Sequence, residues 1–386
     1  MFLDITQKRN PNLIKAAFYL HQNGFIQPDT YVIDLDHLMD NARHIKAAAD
    51  QNGISLYFMS KQLGRNPLVC KALVDAGYAG AVTVDFREAL TLIDQGIPLG
   101  HVGHLVQIPI HEIEKILQAR PEVITVYSVE KAKQISDVAC RLGLVQNIML
   151  RVLDAGDTLY PEQYGGFYLE ELAEKARLIE SLPNIHIHGV TSFPCFLYDE
   201  RKGSICPTHN VETLLKAQTI LESSLSISLK QLNMPSASCA ANMAAIALQG
   251  GTHAEPGHGL TGTTPYHAYQ EGVEIPCIAY VSEISHQLKD EAFCYGGGHY
   301  RRSHMEQALV GSSFETALKV KTLSPDVESI DYYMTLQTSA NVGDTVVMSY
   351  RTQIFVTRSH VAVVAGIKEN KPKLLGIFDS QGREVK

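Results

Sequence analysis

Lys61 ends the run Ile54-Ser55-Leu56-Tyr57-Phe58-Met59-Ser60, which reads as a buried strand. Gln62-Leu63-Gly64-Arg65, a turn into a helix, follows at once. Burial disfavours an ammonium and lowers its pKa, which is what Schiff-base chemistry asks of a lysine. The competing reading is a buried stem whose ammonium snorkels to water. Glu255 ends Thr252-His253-Ala254, just before Pro256-Gly257. A carboxylate there suits a protonated ring nitrogen; otherwise it is a solvated loop residue. Gly257-His258-Gly259-Leu260-Thr261-Gly262 spells G-x-G-x-x-G. A dinucleotide site needs that motif to open a helix, whereas Thr263-Thr264-Pro265 reads as a helix stop. A loop after a late barrel strand, its N–H groups cradling a phosphate, fits better. A plain linker is the alternative.

Three further segments carry candidate chemistry. Pro235-Ser236-Ala237-Ser238-Cys239-Ala240-Ala241 ends a strand and opens a helix, so Ser238 suits either an anion or an N-cap. Cys294-Tyr295-Gly296-Gly297-Gly298-His299-Tyr300 reads as a loop that approaches something closely, or as a surface turn. Arg151, at the end of Ile148-Met149-Leu150, is a second buried-strand cation, placed to pair with Asp154 or with a ligand oxygen.

These residues need a scaffold. After a helix-like stretch from Asn12 to Asn23, apolar or β-branched runs occur at Tyr31–Leu35, Ile54–Met59, Ala79–Val84, His101–Val106, Val123–Val126, Asn147–Val152, Ile185–Thr191, Lys230–Asn233 and Thr252–Ala254. Helix-period segments such as Glu130–Ala139 lie between them. Asp36 and Asp85 stand where N-caps belong. Repeated βα units of this length imply a parallel sheet, and a closed barrel fits the span. The count is one strand more than a (β/α)8 barrel needs. From about Gln270, the runs Val273–Glu283, Ala308–Thr322, Thr345–Ser349 and Gln353–Val364 read as a β domain.

Composition narrows the function. Lys and Arg number 33 against 41 Asp and Glu, a net charge of -8, with no basic stripe. Nucleic acid and anionic membrane are therefore not expected partners. The start, Met1 to Lys8, shows no apolar core of signal-peptide length, and no apolar run approaches a membrane span. Seven widely spaced cysteines without a C-x-x-C pair read as reduced, cytoplasmic thiols. The sixteen histidines make no H-E-x-x-H pattern, and no metal site is expected.

A lysine at the end of the first barrel strand, Glu-Pro-Gly at the end of the last and a β domain behind them resemble the fold type III pyridoxal 5'-phosphate (PLP) enzymes. These include alanine racemase and the ornithine, arginine and diaminopimelate decarboxylases. The resemblance runs over about residues 30 to 365 and is nearest to the alanine racemase-like, YhfX-type group. It implies an α/β fold: a PLP-binding (β/α)8 TIM-type barrel at 37–268 and a C-terminal β domain at 269–386. It also implies a helical extension at 1–30 and a strand at 31–36 that joins the β domain, which accounts for the ninth strand. Asn41 matches a usual family asparagine.

Carried over by position, Lys61 is the Schiff-base lysine and Tyr295 the acid/base on the opposite face. Cys294 falls in the region of the decarboxylases' catalytic cysteine. Arg151, Phe193, Ser238, Glu255, Gly257 and His258 are cofactor contacts, with Phe193 where the family stacks a histidine on the ring. Glu255 departs from the racemase arginine, and Tyr164 stands near another family arginine. The implied activity is amino-acid racemisation in a cytoplasmic homodimer whose active site lies at the subunit interface. A decarboxylase or other lyase is the alternative, favoured by Glu255, Arg151 and Cys294. A PLP-binding protein without turnover is a second alternative.

Overall fold

The computed structural model describes residues 2–385 and divides into two compact units. One comprises residues 44–60 and 70–257; the other comprises 2–43, 61–69 and 258–385. The chain opens with α1 (Phe2–Arg9), α2 (Pro11–Gln22), β1 (Thr30–Asp34) and α3 (Leu35–Gln51). Asp34, not Asp36, caps α3: its Oδ1 accepts from the His37 N–H at 3.2 Å, while Asp36 lies inside the first turn.

The eight strands that follow form the closed parallel barrel of the first unit. They are β2 (Ser55–Met59), β3 (Gly80–Val82), β4 (Leu99–Val102), β5 (Val123–Val126), β6 (Gln146–Leu153), β7 (Ile185–Thr191), β8 (Gln231–Asn233) and β9 (His253–Ala254). β9 closes the ring on β2 through the pairs His253↔Ser55 and Ala254↔Leu56. β4 begins two residues earlier than the sequence suggests, so His101 lies inside the strand and His104 follows it. The barrel is filled, not hollow. Tyr57 packs across Gly100 so closely that a Cβ there would lie 2.1 Å from its ring.

Local signals set the helices. Ser128 caps Val129–Leu142 by accepting from the Lys131 N–H at 3.2 Å, and Gly143 ends that helix with φ 64°. Asp85 caps Phe86–Asp94 in the same way, at 2.7 Å from the Glu88 N–H. No described helix is long and apolar enough to cross a membrane.

The second unit is built on β10 (Ile278–Leu288), β11 (Glu291–Tyr295), β12 (Gln307–Gly311), β13 (Leu318–Lys321), β14 (Tyr333–Leu336), β15 (Thr345–Met348), β16 (His360–Ala365) and β17 (Lys373–Phe378). The sheet runs β13-β12-β15-β10-β1-β16-β17, and β11 pairs with both β10 and β14. β1 lies antiparallel to β10 and parallel to β16. The run Ala308–Thr322 is two strands rather than one, and Gln353–Val364 is a 3-10 turn followed by β16. Leu13, Ile14, Ala17 and Leu20 of α2 bury their apolar face against Val32, Val281, Val347 and Ala362 of the sheet.

Candidate active site

Within the barrel unit, Glu255 is the residue after β9, and its side chain is 1% exposed. It is not the solvated loop glutamate that the sequence left open. Its Oε1 accepts from His101 Nδ1 at 2.7 Å and from Asn233 Nδ2 at 2.7 Å. The other nitrogen of His101, Nε2, lies 2.5 Å from Thr125 Oγ1. Oε2 is 3.6 Å from His104 Nε2 and takes no hydrogen bond among the described residues. The Glu255 N–H donates to Ser238 Oγ at 3.2 Å, so Ser238 fixes the backbone that carries the carboxylate. Burial pushes this carboxyl up. Positive charge at His104 and His101, with hydrogen bonds from His101 and Asn233, outweighs it and holds the group at about 2. The result is a buried, ionised acceptor whose Oε2 lies near His104 but takes no hydrogen bond among the described residues.

His101, His104, Asn233 and Thr125 were not singled out in the sequence. Their signal is position: each lies at or just past the carboxyl end of a barrel strand, where barrel active sites are built. The ligand atoms of His101, His104 and Glu255 lie within 4.8 Å of one another, a two-histidine, one-carboxylate grouping that also suits a divalent metal.

Phe193 joins this cluster. Its ring meets His104 edge-on, centroids 5.5 Å apart at 83°, and lies 5.6 Å from Tyr160. Arg151 is buried but does not pair with Asp154. It donates to Tyr127 Oη and to the Gln163 carbonyl, both at 2.6 Å, and stands over the Tyr127 ring. The Tyr127 hydroxyl donates to the His104 carbonyl at 2.7 Å, so Arg151 braces the His104 turn from behind. Asp154 lies instead 3.5 Å from Lys216 Nζ.

In the other unit, Lys61 opens the 3-10 turn Lys61–Leu63, two residues past the end of β2, and is half-buried. His258 to Gly262 form a turn, and Pro265 opens the short helix Pro265–Tyr269 instead of stopping one. His258 Nε2 is enclosed and takes no hydrogen bond among the described residues, while Nδ1 lies 3.3 Å from Thr263 Oγ1. Burial, then the charges of Arg351, Lys61 and Arg302, push the imidazole well below its usual range. An electropositive turn of this kind suits an anion.

Cys294 and Tyr295 are adjacent on β11 and point to opposite faces. Cys294 is fully buried, and burial pushes its thiol up to about 12, which disfavours the thiolate a nucleophile needs. Tyr295 is 38% exposed, with Tyr333 beside it. The glycines that follow are tied down. The Gly297 N–H donates to Asp331 Oδ2 at 3.0 Å, and the Gly298 carbonyl accepts from Tyr31 and Tyr350. Tyr164 is 63% exposed.

Comparison with known proteins agrees with this architecture. Residues 33–265 match the family model "Alanine racemase, N-terminal domain", and residues 279–374 match "YhfX-like, C-terminal domain". The chain is 42% identical over 388 residues to "Uncharacterized protein YhfX" of Escherichia coli (strain K12), covering 100% of both chains. Among solved structures, alanine racemase of Clostridium difficile 630 superposes with a TM-score of 0.64 at 17% identity, over 92% of this chain and 99% of that one. D-threonine aldolase from Filomicrobium marinum gives a TM-score of 0.63 at 12% identity, over 93% and 96%. The chain belongs to the alanine racemase-like family and is of the YhfX type.

Proposed function

We propose that the chain is a PLP-dependent enzyme acting at Cα of an amino acid, and that it is a racemase. The observation that carries the cofactor assignment is Glu255, a buried carboxylate held ionised with Oε2 outside its hydrogen bonds. That group fits a protonated ring nitrogen, and the positive surroundings of His258 fit a phosphate. Lys61 would hold PLP covalently, Gly257 and His258 its phosphate, Phe193 the face of its ring and Glu255 its nitrogen. When bound, PLP supplies an electron sink for the pair left at Cα.

The protein's own groups do the proton work. Lys61 takes the α-proton on one face, and the Tyr295 hydroxyl delivers one on the other. Such acid–base steps contribute about 10²–10⁴-fold each. Racemisation is favoured over decarboxylation by the contrast on β11, where Tyr295 is exposed and Cys294 is buried as a thiol. Arg151 acts from behind, as a brace for the turn that carries His104. We further propose a homodimer that works in the cytoplasm and completes its active site with the partner subunit.

A lyase is the second reading, favoured by Glu255, since a protonated ring withdraws electrons strongly. Incubation with a panel of D- and L-amino acids in heavy water separates the two. Deuterium at Cα of both enantiomers of one amino acid is the expected result. Release of carbon dioxide or of an aldehyde without racemisation would establish the lyase instead.

A further inference from the structure

We propose that His101 is a positioning residue. Clamped between Thr125 and Glu255, it commits one oxygen of Glu255 to the protein and turns the other toward the nitrogen of a bound pyridine ring, which stays protonated. The inference rests on the PLP assignment above and adds to it the device that sets the ring's protonation.

The geometry is directional. Both ring nitrogens of His101 are engaged, Nδ1 with Glu255 Oε1 at 2.7 Å and Nε2 with Thr125 Oγ1 at 2.5 Å. A carboxylate oxygen cannot donate, so Nδ1 carries a hydrogen toward it. Asn233 donates to the same Oε1, and Ser238 holds the Glu255 backbone, so the residue is fixed at three points, two of them on the carboxylate. Oε2 is left enclosed without a hydrogen bond among the described residues. A buried carboxylate oxygen in that state is costly unless a ligand donates to it.

Proton placement follows from competition. A proton shared by a carboxylate and a pyridine nitrogen rests on the more basic partner. The groups facing Glu255 are His101 on β4, His104 in the turn after it and Asn233 on β8; His253 and Tyr57 feel its charge from further away. His101 and Asn233 fill Oε1 with their N–H donors, which leaves Oε2 as the acceptor for a ring N–H. Without His101, Oε1 loses one of its two donors and Oε2 is no longer held toward the ring.

The test loads the protein with PLP carrying ¹⁵N in its ring and reads the nitrogen shift by NMR, with borohydride labelling of Lys61 on the same samples. Wild type should show a protonated ring nitrogen at neutral pH. His101→Leu should move the shift toward the unprotonated value. His101→Asn, which keeps an N–H donor near the position of Nδ1, should restore most of the wild-type shift. Thr125→Val should fall between, and it serves where His101→Leu does not fold. An unprotonated ring in wild type, or a shift that is the same in all four proteins, overturns the role of His101 while Lys61 remains labelled. Absence of the Lys61 label overturns the PLP assignment and the inference with it. One equivalent of bound metal in wild type, lost in His104→Ala, would assign the cluster to metal binding and overturn the proposal as well.

Discussion

Two carboxylates, one in each unit, Glu255 buried and Asp29 half-buried, are pushed in opposite directions. Glu255 of the barrel is held down at about 2, whereas Asp29 of the β domain is raised to about 6. For both, burial is the largest influence and acts upward. The difference lies in the company. Glu255 faces His101 and His104, whose charge outweighs burial. Asp29 has hydroxyl donors, Ser359 and Tyr280 at 2.9 Å, with Arg358 further off and the carboxylate of Asp331 opposing it. Burial alone thus yields a structural acid, and burial against histidines yields a charge kept ready for a ligand. Asp29 fills the space beside Gly297 and braces the loop that follows Tyr295.

The contrast breaks if the two carboxylates prove interchangeable. Glu255→Ala leaves two buried histidines without their counter-charge and should cost about 3–5 kcal/mol. Activity should fall by roughly 10²–10³-fold as well, the scale seen when one preorganised charged or polar contact is lost. Asp29→Ala removes the hydroxyl bonds and the charge facing Arg358 and should cost about 1–3 kcal/mol. Urea unfolding and steady-state kinetics measure both. Similar losses in the two variants would contradict the assignment of a ligand-directed role to Glu255 alone.

A smaller effect sharpens the structural half. A Cβ on Gly297 would lie 1.9 Å from Asp29 Oδ2, at a backbone φ of +126°. Gly297→Ala should therefore destabilise by about 2–3 kcal/mol. Asp29→Gly, which tolerates the φ of 62° at that position, should relieve part of the loss. A double-mutant cycle reads the coupling, and strict additivity would mean that the two residues do not share this space.

A further difference lies in the pH dependence of stability. Asp29 has a raised folded pKa, so its contribution is present below its usual 3.8 and is lost as pH rises through about 6. Glu255 has a lowered one, so its contribution is present above its usual 4.5 and is lost as pH falls toward about 2. Asp29→Asn should flatten the decline between about pH 4 and 6, and Glu255→Gln the rise between about pH 2 and 4.5. Urea midpoints across that range distinguish the two slopes.

The barrel was legible in the sequence because short apolar or β-branched runs alternate with helix-period segments, and Val123–Val126 and Ile185–Thr191 were read to the residue. The β domain was less so. β13 is mostly exposed, and the Gly311-Ser312-Ser313 turn before it lies inside what reads as one run. Lys61 and Glu255 were found because each directly follows an apolar run and a Gly-containing turn comes after. His101 was missed for a definite reason. Starting its strand at His101 put it at the amino end, away from the chemistry, whereas β4 begins at Leu99 and delivers His101 and His104 to the carboxyl end. Arg151 was recognised as buried, but its partners, Tyr127 and Gln163, come from loops whose paths no periodicity reveals.

The central claim is that Lys61 is the residue that holds PLP. Borohydride reduction of the purified protein, followed by proteolysis and peptide mapping, tests it directly. The label should fall on the peptide that contains Lys61 and vanish in Lys61→Ala. A label on any other lysine, or none in protein supplied with PLP, would contradict the account.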